Sequence, residues 1–275
     1  MFFNKSIDKQ RRLSQITIVI KTFQRPATIT GALKTIRRFY PEVRLLVADD
    51  SREPLELKDS SIELFTLPFD TGVSAGRNFL LEKVETPYFL MMDDDHFFNG
   101  RTNLLKLLDI LEKYDFDVLS ALVFQRSPFK RDLYRKQLVD FYLNMELVDG
   151  TLKFVDGHYE KTKEYTTCDL VHQFFLAKTA PIKAIGGWDD QLKTADHADF
   201  FIRAKEANLK VGYTPQVRVD HVHIKEERFS QDYAPFRKRM SEFRRIWVEK
   251  HNIHTIVQRD GRTFSAQQFI AQKGW

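Results

Sequence analysis

Between residues 16 and 92, short apolar runs of strand length alternate with stretches of helical spacing, and this alternation narrows the fold more than any other feature. Ile16 to Ile20 is a β-branched run, and the segment from Ala27 to Arg38 repeats Ile29, Leu33 and Ile36 on one helical face. Val43 to Ala48, Ile62 to Leu67 and Tyr88 to Met92 read as further strands, with a helix expected from about Ser74 to Val84. Such a series builds an α/β fold, a mostly parallel, Rossmann-like sheet flanked by helices. In open parallel sheets, ligands collect at the carboxyl ends of strands. Asp49-Asp50 and Asp93-Asp94-Asp95 both fall at such ends, and packing gains nothing from carboxylates gathered together.

Farther along, a helix is expected from Arg101 to Lys113 and a strand from Val118 to Phe124. Leu138 to Phe154 reads as a smaller hairpin region around the turn Asp149-Gly150. A strand from Val171 to Ala177, a helix from Lys178 to Ile185 and the loop Gly186-Gly187-Trp188 come next. They are followed by a helix from Asp199 to Ala207 and two short strands, Val211 to Tyr213 and Val217 to Val219. From Tyr233 to Lys250, Phe236, Met240, Phe243 and Trp247 form one helical stripe, with Arg237, Lys238, Arg244 and Arg245 off it. That pattern suits a C-terminal helix packed on its own domain, or a basic helix lying on an anionic membrane surface.

The chain has 275 residues, of which 43% are hydrophobic, enough to fill a sizeable core. The net charge of +5 is compatible with an anionic ligand, a membrane surface or RNA and does not choose among them; the reading as a whole expects no nucleic-acid partner. Cys168 stands alone, so no intrachain disulfide can form and a reducing compartment is expected. The N-terminal MFFNKSIDKQRRL is too short in apolar residues for a signal peptide, and no run approaches the ~18 needed to span a bilayer. The expectation is a cytoplasmic protein, soluble or peripheral at the inner face of the plasma membrane.

Three successive aspartates are costly to place together unless something positive neutralises them, and a divalent metal carrying phosphate oxygens does so. The spacing of Asp93 and Asp95 lets one carboxylate bind metal while the other holds a metal-bound water or a ribose hydroxyl. Asp220-His221-Val222-His223 offers an imidazole from His221 or His223, and a mixed carboxylate and imidazole set suits Mn²⁺, with Mg²⁺ as the alternative. Gly72 to Asn78 opens a helix whose glycines permit close backbone approach, and Arg77 offers a fork of donors to phosphate; a plain helix start capped by Ser74 is the competing reading. For a base that deprotonates a hydroxyl, Asp199 at the head of an apolar helix is the candidate and Asp196 the fallback; both also suit simple helix capping.

At these residues the chain resembles the GT-A glycosyltransferases of the family-2 type, in particular the ganglioside β-1,4-N-acetylgalactosaminyltransferases. The matching stretches are TIVIKTFQRP, IRRFYPEVRLLVADDS, LPFDTGVSAGRNFLL, TPYFLMMDDDHFF, FFLAKT, His197 to Phe201, and Val219 to His221. The resemblance implies an inverting transferase that moves a hexose or N-acetylhexosamine, with N-acetylgalactosamine foremost, from a UDP-sugar to a glycan or lipid-linked glycan. It implies Thr22, Arg25, Asp49, Asp50, Arg77, Asp93 and Asp94 around the nucleotide, and Mn²⁺ held by Asp93, Asp95 and His221, with His223 the alternative ligand. Asp199 stands where the family usually has Glu. Gln173, Gly186, Gly187, Trp188 and His197 are candidates for the sugar pocket. On this basis residues 1–15 are an N-terminal extension and 16–230 the transferase domain. Its nucleotide-binding half runs to about 123 and its acceptor half to 230, with the basic helix and tail at 231–275. The acceptor expected is a bacterial surface polysaccharide or lipooligosaccharide, with the basic helix meeting the membrane. A metal-dependent phosphohydrolase and a non-catalytic nucleotide-sugar binding protein are the rival readings.

Overall fold

The computed structural model describes residues 2–130, 133–139, 142–224, 227 and 230–272. Helix α1 (Phe2–Leu13) leads into β1 (Ile16–Thr22), α2 (Pro26–Phe39), β2 (Arg44–Asp49), β3 (Ile62–Thr66), α3 (Val73–Lys83) and β4 (Tyr88–Asp93). Next come β5 (His96–Phe97), α4 (Leu104–Lys113), β6 (Val118–Lys130) and β7 (Leu133–Val139). The middle of the chain supplies β8 (Tyr142–Val148), β9 (Thr151–Val155), β10 (Glu160–Lys161), β11 (Thr166–Thr167), β12 (Leu170–Val171) and β13 (Phe174–Lys178). The remainder is α5 (Thr179–Ala184), α6 (His197–Glu206), β14 (Val211–Val222), α7 (Ala234–Arg237), α8 (Met240–Lys250), β15 (Thr255–Val257), β16 (Thr263–Ser265) and α9 (Ala266–Ile270).

The main sheet runs β10-β11-β14-β6-β13-β4-β1-β2-β3, with β5 paired to β14 and β7 to β6. Strands β3, β2, β1 and β4 are parallel neighbours, and β13 is antiparallel to both β4 and β6. Every residue of β1 is buried, as a strand covered by helices on both faces must be. Ile16, Ile18 and Ile20 pack into one core and Val19 into the other, following the two-residue period of a strand. Pro26 at the first turn of α2 and the Asn103 side chain capping α4 fix where those helices begin.

A second sheet, β12-β8-β9-β15-β16, carries the expected hairpin. Its turn residues Asp149 and Gly150 have φ of 46° and 69°, the left-handed pair of a tight hairpin. Leu138 and Val139 instead pair with β6, and residues 140–141 lie outside the described chain.

The chain departs from the sequence expectations in two further places. The two short strands predicted after α6 are one strand, β14, whose pairing jumps from Thr214–Ala121 to Arg218–Leu122. Pro215 has no N–H for the ladder and lies in the bulge this jump creates. The C-terminal helix is interrupted between Arg237 and Met240, and its stripe of Met240, Phe243 and Trp247 is buried. Arg244, expected off the stripe, is itself buried and donates to the carbonyls of Phe269 and Gln272. This face packs on its own domain. No described helix is long and apolar enough to cross one.

Candidate active site

The carboxyl ends of β1, β2 and β4 and the far end of β14 converge on one cleft of about 480 Å³. Strand β1 delivers Lys21 and Thr22, the residue after β2 is Asp50, and β4 runs into Asp93, Asp94 and Asp95. The bulge in β14 restores pairing so that His221 meets His96 of β5 and Gln125 of β6. The two-residue strand period then brings His221 and His223 to the same side, while Asp220 turns away to pair with Arg126 at 2.9 Å. Lys193 to His197 and the segment from Tyr233 to Met240 supply the opposite walls.

The three aspartates have separate partners. Asp94 is buried; its carboxylate accepts from Thr22 Oγ1 at 2.7 Å and pairs with Arg25. Burial pushes Asp94 up to about 7, its like-charged neighbour Asp95 adding to the effect, against the opposing charge of Arg25. Asp95 takes Arg25 Nη1 at 3.0 Å, and His221 Nε2 stands 3.1 Å from its Oδ1. Burial disfavours its charge, yet His221 and Arg25 hold its carboxyl well below the usual range. Asp93 is the most open of the three and accepts from Arg77 Nη2 at 2.7 Å.

Asp95, His221 and His223 bring ligand atoms within 4.8 Å of one another, and Asp93, Asp95 and His96 form a second such group. Among the described residues, the buried Asp95 Oδ1 has no donor nearer than His221 Nε2 at 3.1 Å, and a cation would satisfy it when that ring is neutral. Gln125 Oε1 lies 2.9 Å from His221 Nδ1, so a proton on Nδ1 turns the Nε2 lone pair toward Asp95. These residues fit a divalent ion. His96 fits less well: its Nδ1 lone pair accepts the Asp93 N–H at 3.2 Å, which leaves the proton on Nε2. His221 and His223 thus gather together at Asp95, and Asp93 belongs to the other group.

On the other side of the cleft, Arg77 is buried between Asp93 and Asp196 and lies 5.6 Å over the Trp188 ring. Asp50 pairs with the buried Lys21 and accepts the Gly72 N–H at 2.8 Å. A Cβ on Gly76 would sit 2.7 Å from Lys21 Cγ, so this glycine makes room for the lysine stem rather than for a ligand. Helix α3 is capped by Gly72, with φ of 99°, and not by Ser74. His197 lines the cleft, its Nε2 2.6 Å from the Val171 carbonyl, and burial lowers its pKa.

Several sequence candidates fall elsewhere. Asp49 is fully buried behind the cleft, where it accepts from Ser51 N at 2.9 Å and Leu55 N at 2.7 Å and so shapes the loop that presents Asp50. Asp199 is fully buried and does not line the cleft: Arg203 and Lys250 lie 2.9 Å from its oxygens, as does His251. An acceptor hydroxyl in the cleft cannot reach it, whereas Asp196 lines the wall. Gly186, Gly187 and Trp188 also lie outside the lining. Trp188 stacks on Phe200 at 4.7 Å, and Asn78 bonds both its backbone N and O. It is a platform beneath Arg77, not a sugar wall.

Sequence reasoning missed Lys21, Gln125 and a latch at Asp70, which accepts two hydrogen bonds from Arg239, at 2.8 and 2.6 Å, and one from Lys193 at 3.1 Å. It also missed the rim aromatics: Phe236 lies 4.8 Å from Phe23, and Tyr233 is 4.7 Å from the Arg25 guanidinium. Lys21 and Gln125 each precede or follow an apolar strand run, which is the signal that could have flagged them; the latch has no local signature. The lining carries six aspartates against six lysines and arginines, with three histidines besides, so a diphosphate entering a cleft whose lysines and arginines are largely paired must either break ion pairs or arrive with a cation.

A Rossmann-like sheet with its acidic cluster at the strand ends, crossed by an antiparallel strand, defines a GT-A glycosyltransferase fold. The structure of GalNAc-T7 with UDP, GalNAc and Mn²⁺ superposes with a TM-score of 0.57 at 12% identity, covering 86% of this chain and 54% of that one. That of S. aureus TarS 1-349 in complex with UDP-GlcNAc gives 0.55 at 15%, covering 83% and 65%. The chain belongs to glycosyl transferase family 2, whose model matches residues 17–183. It is also 36% identical over 209 residues to β-1,4 N-acetylgalactosaminyltransferase 2 of Mus musculus, over 75% of this chain but only 39% of that relative's length.

Proposed function

We propose that the chain is an inverting, metal-dependent glycosyltransferase that moves an N-acetylhexosamine or hexose from a UDP-sugar to a hydroxyl of a glycan acceptor. The observation that carries this reading is the meeting of Asp95, His221 and His223 beside Thr22, Arg25 and Asp94, with Asp196 across the same cleft. N-acetylgalactosamine is favoured as the sugar because the relative in Mus musculus is named for its transfer.

Asp95, His221 and His223 would hold the divalent ion, Mn²⁺ foremost, with Asp93 reaching it from the β4 end. When bound, the ion supplies the positive charge that offsets the diphosphate and the departing UDP. Thr22 and Arg25 hold Asp94 and Asp95 in place, and Lys21 and Asp50 border the nucleotide end of the cleft. Asp196 accepts the proton of the acceptor hydroxyl, and Arg77 fixes its carboxylate in position. A single displacement aided by one base inverts the anomeric centre.

The test is to incubate the protein with UDP-sugars, Mn²⁺ and glycan acceptors while following UDP release and the new product. Transfer that EDTA abolishes and Mn²⁺ restores supports the reading; transfer indifferent to EDTA removes the metal from it. Hydrolysis of simple phosphate esters without sugar transfer replaces it with a phosphohydrolase.

A further inference from the structure

Among the described residues, neither end of the Gln173 carboxamide has a hydrogen-bond partner, although the residue is only 6% exposed and lines the cleft. A buried amide with one orphan is uncommon, and one with both Oε1 and Nε2 orphaned leaves an acceptor and a donor side by side without water-like partners from the protein. Its place explains its direction. Gln173 lies in the step between β12 of the second sheet and β13 of the main sheet, directly before Phe174, whose register partner is Met92. It therefore emerges beside Asp93, on the side of the cleft that holds Asp196 and His197.

We infer that Gln173 reads the 2-acetamido group of the donor sugar and makes the site selective for UDP-N-acetylhexosamines over UDP-hexoses. The inference rests on the donor reading proposed above. The acetamido group is a trans amide whose N–H and carbonyl point opposite ways, so Nε2 donates to the carbonyl, two bonds beyond the position of a ring hydroxyl, and Oε1 accepts from a neighbouring sugar hydroxyl. A hexose has only a hydroxyl at that carbon, which stops short of the carbonyl's position and leaves Nε2 buried and unpaired. Uracil has a complementary edge as well, but position argues against it. The nucleotide end lies at Asp50 after β2, and the sheet order β2-β1-β4-β13 sets β13 three strand spacings away, roughly 14 Å. That separation suits a sugar beyond the diphosphate, not the base.

The experiment is calorimetric titration, with Mn²⁺ present, of UDP, UDP-GalNAc, UDP-GlcNAc, UDP-galactose and UDP-glucose into wild type, Gln173→Leu and Gln173→Glu. Wild type is expected to bind the two acetamido donors roughly tenfold or more tighter than their hexose counterparts. Gln173→Leu removes most of that margin while leaving UDP affinity unchanged, and the unchanged UDP affinity shows that the variant is folded. Gln173→Glu, which keeps the size and one acceptor but loses the donor, also narrows the margin and serves if the leucine variant does not fold. A wild type that binds UDP but shows no acetamido preference, or a variant that keeps the preference, overturns the inference alone. A variant that loses UDP affinity while still folded reassigns the amide to the nucleotide. A wild type that binds no UDP overturns the donor reading and this inference with it.

Discussion

His251, capping α8, places its Nε2 2.9 Å from Oδ1 of Asp199 at the head of α6. With Lys250 and Arg203 also at 2.9 Å, Asp199 ties the C-terminal helix to the transferase domain from a fully buried position. Asp199→Asn is expected to cost about 1–3 kcal/mol, because the half-buried Arg203 and the exposed Lys250 lose a charged acceptor inside the fold. Turnover per folded molecule should survive, whereas Asp196→Asn should abolish it even in the molecules that fold, beyond any stability lost at the buried Arg77. Thermal unfolding alongside kcat for both variants checks this; a catalytically dead, fully stable Asp199→Asn would restore Asp199 as the base. Burial opposes the charge of Asp199, but His251, Lys250 and Arg203 hold its carboxyl well below the usual range. Its contribution is thus present above the unfolded value of about 3.9 and is lost as pH falls through the folded one. Wild type should therefore lose more stability on acidification than Asp199→Asn does.

Arg77 spans Asp93 and Asp196, so it sets the separation between the proposed metal and base sides of the cleft. Arg77→Lys keeps the charge but has one ammonium where two carboxylates need a fork, and it cannot make both bonds in the same geometry. The expected result is a fall in kcat on the order of a hundredfold or more, as for a misplaced catalytic group. UDP affinity should move much less. Steady-state kinetics with a separate UDP titration tests the split: an effect confined to UDP affinity would return Arg77 to direct phosphate binding.

The parts of the fold and site that were legible in the sequence are those written in local patterns. Strand β1, helix α2 and the acidic ends of β2 and β4 follow from short periodicities, and the hairpin turn follows from Asp149-Gly150. What was not legible depends on residues far apart in the chain. Asp199 resembles a base from its own neighbourhood, and its partners His251 and Lys250, some fifty residues later, decide otherwise. Trp188 resembles a sugar platform until Asn78 and Phe200 are seen to hold it inward. The sequence pattern of β14 breaks at Pro215, which hid a single strand whose bulge is what carries His221 to Asp95.

Gly76→Ala separates intrinsic propensity from packing. In an exposed helix interior, alanine for glycine stabilises by about 1 kcal/mol. Here the new Cβ would lie 2.7 Å from Cγ and 2.9 Å from Cε of Lys21, a buried side chain held by Asp50 and the Thr22 carbonyl. The lysine must shift, so the gain is expected to vanish or reverse and UDP affinity to fall. Denaturant unfolding and UDP titration of the variant test both parts; a stabilised protein with unchanged affinity would show that Lys21 is not needed where it stands.

At His221 and Asp95, binding of the proposed metal and protonation of the imidazole oppose one another. Burial lowers the pKa of His221, but Asp95 at 3.1 Å outweighs it and the net shift is upward from 6.5. In the metal-free protein, the protonated imidazole paired with Asp95 contributes stability that is fully present below 6.5 and is lost as pH rises through the higher folded value. A metal requires the neutral ring, so Mn²⁺ affinity should rise across that same window. The melting temperature of EDTA-treated protein should therefore fall with pH just above 6.5, while the stabilisation gained on adding Mn²⁺ should grow. His221→Gln should flatten both trends and weaken Mn²⁺ binding by at least about tenfold. A variant that keeps the pH dependence of Mn²⁺ binding would move the imidazole ligand to His223.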